Sequence, residues 1–402
     1  MKILQVSNRV PYPLNEGGTI GIYNYTKGFC ELENDVTFVT LNAVKHKIDI
    51  EDAKKELNKY CKFHYLNINT DIKISKAFLN LLTKKSYNIE RFYSSEFDKL
   101  LENILSNEKF DIIQVEGIYA SMYLKTIRNF SKSPVVLRQH NVEFQIWERL
   151  CRNEKNGLKK LYLKLLSKRL KNYEKAQLNL YDAIIPVTND DADVFTNEGC
   201  TKPIFVSPAG IEDSKFEKYK GVKANPKYVY HLGSLEWMPN REAVIWFIEN
   251  VWEKIQTIDS SYKLFIAGKN MPDFFKKYQT ESIVIEGEIE NALDFISDKC
   301  INIVPLLSGS GIRLKILEAM AAGKLVIATT VGAQGINYTK DKNILIANTV
   351  DEYCEIFKKH SQHTECFDFI KQNAVKLIND EYSNKAVVKK LLNFYKTSFN
   401  IS

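Results

Sequence analysis

No stretch of this 402-residue chain approaches the roughly 20 consecutive apolar residues that cross a bilayer. Residues 1–7 turn polar too soon for a secretory leader and scan as a first strand, which predicts a cytoplasmic protein. Cysteine is sparse and unpaired in pattern. The seven, Cys30, Cys61, Cys151, Cys200, Cys300, Cys354 and Cys366, are odd in number and lack CxxC spacing, which argues against a disulfide framework and for a reducing compartment. Cys354, His360, His363 and Cys366 lie close in sequence, but on a helix they would spread over more than one face, so no metal site is expected. The net charge of +7 comes without a basic stripe interleaved with aromatics, so nucleic acid is not an expected partner. The loop after the first strand, residues 8–19, contains no GxGxxG, which removes the dinucleotide fingerprint of a dehydrogenase.

What is present is the composition of a soluble globular protein, 45% hydrophobic and 26% charged, at a length that calls for two domains of about 200 residues. Strand-like runs alternate with helical ones, the pattern of a parallel sheet covered on both faces, and the fold class is α/β. Expected strands in the first half are 2–7, 36–41, 62–68, 111–116, 135–139, 183–187 and 204–207. Those in the second half are 229–232, 263–267, 283–286, 301–304, 325–328 and 344–347. Each set makes one Rossmann-like domain. The charged segment 211–227, interrupted by Gly221 and Pro226, is the most linker-like stretch. Domains of 1–211 and 212–384 are therefore expected, followed by a last helix from 385 to 402.

Chemistry concentrates in residues 305–329. A strand is followed by a loop of small residues, Ser308 to Gly311, and then by a helix expected to begin near Gly311. Such a loop leaves first-turn N–H groups uncovered, and these hold an anion together with the helix dipole. Arg313 and Lys315 stand in the same turn, where cations oppose the dipole unless an anion lies between them and the loop. Glu318, one to two turns on, suits a vicinal diol, which offers two O–H donors. Phosphate plus ribose points to a nucleotide. The plain alternative is a turn with solvated Arg313 and Lys315 and a surface Glu318. His140 ends a strand, and strand C-terminal ends of open α/β sheets face the ligand crevice. Gly17 and Gly18 are read as a lid loop letting backbone approach phosphate, or else as a turn before a helix 20–31.

With these residues the chain resembles the GT-B-fold glycosyltransferases of family 4. The likeness is carried by Val304-Pro305 through Thr329 with its Leu-Glu-Ala-Met-Ala-Ala-Gly run, and by Gly233-Ser-Leu-Glu-Trp-Met-Pro-Asn240. The Gly17-Gly18 loop, Arg138-Gln-His-Asn-Val-Glu143, Asp182-Ala-Ile-Ile-Pro-Val-Thr188 and Pro208-Ala-Gly-Ile211 also match. It implies two Rossmann-like domains facing each other across a deep cleft, with the last helix returning toward the first domain. It also implies a retaining, metal-independent hexosyltransferase without cofactor. The donor is a nucleotide-diphosphate sugar, and the acceptor a hydroxyl of a glycan, lipid-linked saccharide or related cell-envelope molecule. Implied catalytic residues are His140, Arg313 and Lys315. Implied donor-binding residues are Gly17, Gly18, Gly233, Ser234, Glu288, Ser310, Gly311, Ile312, Leu314 and Glu318. Asn141 and Glu143 fall on the acceptor or sugar side.

Two departures stand out. Many members carry glutamates eight positions apart, whereas here Ser310 precedes Glu318. The Arg and Lys common after the first strand of the second domain are missing, since Ser234 follows Gly233 and no lysine occurs before Lys254. Phosphate neutralisation is then expected from Arg313 and Lys315. A nucleotide-sugar epimerase of the same architecture and a non-catalytic nucleotide-sugar-binding or scaffold protein remain open alternatives. Finally, in 154–180, Leu158, Leu161, Tyr162 and Leu165 recur at helical spacing beside Lys159, Lys160, Lys164, Lys168, Arg169, Lys171 and Lys175. Either the apolar side packs on the first domain, or the basic face meets anionic lipid at the inner face of the membrane.

Overall fold

The computed structural model describes residues 1–14, 17–43, 50–70, 80, 83, 85–212, 214–219, 222–309 and 312–401. It divides into two compact units, Met1–Gly210 with Val387–Ser402, and Ile211–Ala386. Ile211 belongs to the second because its N–H reaches the Tyr382 carbonyl at 2.7 Å and its carbonyl accepts from the Asn384 N–H at 2.8 Å.

The first unit carries β1 (Lys2–Ser7), β2 (Asp35–Ala43), β3 (Lys62–Ile68), β4 (Ile112–Glu116), β5 (Val135–Gln139) and β6 (Ala183–Pro186). These form one sheet in the order β3-β2-β1-β4-β5-β6. All its pairings are parallel. Alternation along the central strands explains the layers. Leu4, Val6, Ile113 and Val115 face one apolar cluster with Phe97 and Leu101. Ile3, Ile112, Val136 and Ala183 face the other, which the C-terminal helix Asn384–Phe399 closes with Val388, Leu391 and Tyr395. Each Val, Leu, Ile or Phe side chain among these contributes about 1.5–3 kcal/mol on full burial. Residues 204–207, expected as a strand, run parallel to β6 at the sheet edge through the bridge Ile184↔Ile204, with the Phe205 N–H on the Ile184 carbonyl at 3.0 Å and the Ser207 N–H on the Pro186 carbonyl at 2.8 Å, without becoming a full strand.

Helix α1 (Gly17–Glu31) begins three residues earlier than the pattern 20–31 predicts, so Gly17 and Gly18 form its first turn rather than a lid loop or a free turn. Two further helices follow, α2 (Glu143–Asn153) and α3 (Gly157–Leu178), and α3 is the helix expected within 154–180. Asn156 separates them by capping α3, its side chain accepting from the Lys159 N–H at 3.1 Å. The apolar positions at the start of α3 do not pack on the unit. Leu158 is 84% and Leu161 67% exposed.

The second unit repeats the topology with β7 (Asn225–Leu232), β8 (Lys263–Ala267), β9 (Ile283–Gly287), β10 (Lys299–Val304), β11 (Leu325–Ala328) and β12 (Leu345–Ile346). Its order is β12-β11-β10-β7-β8-β9, again parallel. In each unit the order reverses beside the first strand, between β1 and β4 and between β7 and β10. Open α/β sheets bind ligands outside the carboxyl ends of their strands at that switch point. Helix α4 (Met238–Phe247) follows β7, and α5 (Leu314–Ala321) follows β10.

No helix among the described residues is long and apolar enough to cross a membrane. His360 is a core residue: it is buried and shares a 2.7 Å hydrogen bond between Nδ1 and the Tyr262 hydroxyl, and burial depresses its basicity to about 4.

Candidate active site

In the second unit the site is assembled at the ends of β7 and β10. His231, buried near the end of β7, binds the Ile303 carbonyl through Nδ1 at 3.1 Å. The carbonyl can only accept, so Nδ1 carries the proton and Nε2 keeps its lone pair. That lone pair faces the Lys315 ammonium at 3.5 Å. Lys315 also donates to Asn240 Oδ1 at 2.9 Å, and Asn240 Nδ2 donates to the Ser234 carbonyl at 2.9 Å. Asn240 thus ties α5 to the loop after β7. Burial, and then the neighbouring Arg313 charge, bring the Lys315 ammonium down to about 7. Burial and Lys315 hold His231 well below its ordinary range, in the neutral form that this geometry requires.

Glycine is needed here for close approach. A Cβ on Gly233 would lie 2.9 Å from Asn240 Nδ2 and 3.2 Å from Lys315 Nζ, and one on Gly268 would overlap the Gly233 carbonyl oxygen. Arg313 is buried, and its guanidinium carbon stands 5.2 Å from the Trp237 ring centroid. Gly309 has φ +118°, which L side chains rarely adopt, and a Cβ there would meet Arg313 Nη2 at 2.7 Å.

Helix α5 starts at Leu314, not near Gly311, because Arg313 is its N-cap with φ −90° and ψ 90°. No side chain caps it, and since the Ile316 N–H donates to the Arg313 carbonyl at 2.8 Å, an anion would rest on the N–H groups of Leu314 and Lys315. Ser310 and Gly311 lie outside the described residues. Ile312 and Leu314 pack against the apolar cluster that contains Ile316, Leu317 and Met320, and so anchor the loop. Glu318 is exposed and lies three residues after Lys315, which puts both on one side of α5. Glu288 is exposed just after β9, the edge strand, two strands away from β7.

In the first unit the polar residues collect at the ends of β1, β4 and β5. Parallel pairing sets Glu116 beside Arg138 and Gln5 beside Gln114, so these side chains share one face of the sheet. Glu116 is fully buried. Its Oε2 accepts from Arg138 Nη1 at 3.1 Å and lies 2.8 Å from His140 Nε2. Its Oε1 accepts from Gln5 Nε2 at 3.1 Å and from Gln114 Nε2. Burial alone would raise this carboxyl, but Arg138, His140 and Gln114 hold it down at about 2. The Arg138 guanidinium carbon stacks 3.9 Å from the Tyr25 ring centroid. Burial lowers the His140 imidazole against the upward pull of Glu116, and Arg138 lowers it further.

Asn141 is exposed. Glu143 opens α2, its carboxylate accepting from the Tyr119 hydroxyl at 2.9 Å, and burial pushes it up. Buried Glu174 accepts from the Gln139 amide at 3.0 Å and from the Glu143 and Phe144 N–H groups, which fixes the start of α2, and burial pushes its carboxyl up to about 8. Gly18 has no positive φ to satisfy. It is small because a Cβ would stand 3.0 Å from Arg9 Nη2.

The sequence pointed to Gly233, Ser234, Arg313 and Lys315, and these gather in one place. It did not single out His231, Asn240, Trp237 or Glu116. Asn240 and Trp237 lie within the Gly233–Asn240 motif, whereas His231 and Glu116 each lie within strands whose apolar pattern masks them.

Two family models match the chain, one described as Glycosyltransferase Family 4 over residues 16–215 and one as Glycosyl transferases group 1 over residues 226–360. An uncharacterised 44.6 kDa protein in the cps region of Klebsiella pneumoniae is 26% identical over 398 residues, which is 96% of this chain and 97% of that protein. Among solved structures, a glycosyltransferase from Rickettsia africae aligns over 100% of this chain and 99% of its own, with a TM-score of 0.65 and 15% identity. HepE from Anabaena, solved with UDP-glucose, aligns over 99% of this chain and 100% of its own, with a TM-score of 0.58 and 13% identity.

Proposed function

We propose, since this chain belongs to the GT-B glycosyltransferases of group 1, family 4, that it moves a hexose from a nucleotide-diphosphate sugar to a hydroxyl of a glycan or lipid-linked saccharide, with retention and without a metal. The observation that carries this reading is the cation pair at the start of α5. Lys315 is oriented by Asn240 and His231, Arg313 is stacked on Trp237, and both adjoin the uncapped first turn. Such preorganised donors stabilise charge growing on a leaving diphosphate. The acceptor oxygen bonds to the anomeric carbon as the bond to the phosphate oxygen breaks, and that oxygen takes the acceptor's proton on the same face. No protein nucleophile or dedicated base is required. The likeness to HepE, solved with UDP-glucose, supports a uridine diphosphate hexose as the first donor to try.

A thermal-shift screen with UDP, GDP, ADP and their sugar conjugates tests the donor site. Stabilisation by one nucleoside diphosphate is expected, and none by any of them would leave a non-catalytic fold. Full turnover of a nucleotide-sugar without acceptor would instead reveal an epimerase.

Glu318 is assigned to the ribose diol. Losing hydrogen bonds to a charged acceptor costs about 1.5–3 kcal/mol, roughly ten- to a hundredfold in affinity. Glu318→Ala is therefore expected to weaken ribonucleotide binding with the melting temperature unchanged. An equal response for the dideoxy analogue would remove the ribose from the scheme.

A lipid-linked acceptor is supported by the first turns of α3, where Leu158 and Leu161 are exposed beside exposed Lys160, Lys164 and Lys168. Lys159 is engaged by Glu154, and Lys171 and Lys175 by Glu198, so these are not part of that surface. Each basic residue near an anionic surface contributes about 1 kcal/mol. Flotation with phosphatidylserine vesicles is expected to recover the protein at low salt and not at high salt. Reversing Lys160, Lys164 and Lys168 to Glu should abolish recovery, and no partition at low salt would favour a soluble acceptor.

A further inference from the structure

We infer that Glu116 is a positioning residue that locks His140 in the Nε2–H tautomer, so that the imidazole offers Nδ1 to a substrate hydroxyl as a hydrogen-bond acceptor. The inference rests on the reading that the first unit handles a sugar or its acceptor. Both Glu116 oxygens act as acceptors. Oε1 receives the amides of Gln5 and Gln114, and Oε2 receives Arg138 Nη1 at 3.1 Å. An ionised carboxylate only accepts, so the 2.8 Å approach of His140 Nε2 to Oε2 requires the proton on that nitrogen. Arg138 Nη1, 3.4 Å from the same ring nitrogen, brings its own hydrogens and cannot accept in place of the carboxylate.

The surroundings then keep the second ring nitrogen unprotonated. Burial and the Arg138 guanidinium disfavour an imidazolium, and they outweigh the pull of Glu116 in the other direction. A neutral imidazole with Nε2 protonated has one function left, a lone pair on Nδ1. The ring itself is 13% exposed, whereas Glu116 and Arg138 are at 0% and 1%, so His140 is the member of this network that a substrate can reach. A lone pair cannot bind a phosphate or carboxylate oxygen, which carries no hydrogen. It can bind an O–H. The partner class is thereby narrowed to a hydroxyl of the sugar or acceptor, and the diphosphate is left to the second unit.

The network that holds Glu116 is itself rigid. Gln5 accepts from the Thr26 hydroxyl at 2.8 Å, and Gln114 accepts from Tyr395 of the C-terminal helix at 2.5 Å. Arg138 is stacked on Tyr25. A carboxylate fixed by three donors, from β1, β4 and β5, orients the imidazole better than a mobile one.

The test uses the intact chain with 15N-labelled imidazoles, at neutral pH. Six histidines give a resolvable set, and the His140 signals are identified by their loss in His140→Asn. A protonated Nε2 and a lone-pair resonance at Nδ1 are expected in the wild type, with tautomer averaging in Glu116→Gln. A proton on Nδ1, a doubly protonated ring, or an unchanged pattern in Glu116→Gln overturns the lock. The hydroxyl contact is read separately from transfer rates. An Asn side chain sets its oxygen near the place of Nδ1, and Gln reaches the place of Nε2. His140→Asn is thus expected to keep at least tenfold more kcat than His140→Gln, and equal rates would refute that contact. The spectrum is independent of turnover, so a failed transferase assay does not disturb the tautomer result.

Discussion

Arg313→Ala is expected to lower kcat by about 10²–10³-fold, the usual loss when one preorganised stabiliser of developing charge is removed. The melting temperature should stay near that of the wild type, because Gly309 and Trp237 border the guanidinium without depending on it for burial. Lys277→Ala, on an exposed helical turn, serves as the comparison and should change little. Full activity in the Arg313→Ala, Lys315→Ala double variant would sink the assignment. Lys315 adds a pH signature. Its ammonium is brought down to about 7, so donor binding is strongest below that pH and weakens as pH rises through it. Arg313 stays charged and His231 stays neutral over this range, so neither accounts for the slope. In Lys315→Met, kcat/KM for the donor should be low and flat with pH, and a retained slope would reassign the titration.

Glu116→Leu is expected to destabilise the first unit by about 3–5 kcal/mol, because it leaves the Arg138 guanidinium buried without its counter-charge. Replacing both partners, as Glu116→Leu with Arg138→Met, should restore part of that loss, with the Gln5 and Gln114 amides accounting for the remainder. Urea unfolding measures both, and a single-variant cost below about 1 kcal/mol would mean that water reaches the pair. The pH dependence has a definite sign. The folded carboxyl lies at about 2, below the ordinary value near 4.3, so its contribution is complete above that ordinary value and is lost as pH falls through about 2. The difference between wild type and Glu116→Leu should therefore shrink toward acid.

The strands were legible because fully buried parallel strands are continuous apolar runs bounded by charge and small residues. All twelve observed strands overlap expected ones, and the remaining expected one, 204–207, lies hydrogen-bonded along β6 without forming a full strand. Helix boundaries were less legible. The start of α5 depends on the backbone angles of Arg313, and that of α1 on Gly17 and Gly18 joining the helix, which their permissive backbones neither require nor forbid.

From the sequence by itself follow the α/β class, the two-unit organisation, and a loop of small residues followed by two cations. These are local properties of period, length and composition. Tertiary structure alone decided which distant polar residues meet. Lys315 finds Asn240 and His231 across 75 and 84 residues, and Glu116 finds Gln5 across 111. It also left Leu158 and Leu161 in solvent although their spacing suited a packed face. The physical reason is that parallel register determines which residues of neighbouring strands share a face, and crossover connections carry those strands together from far apart in the chain.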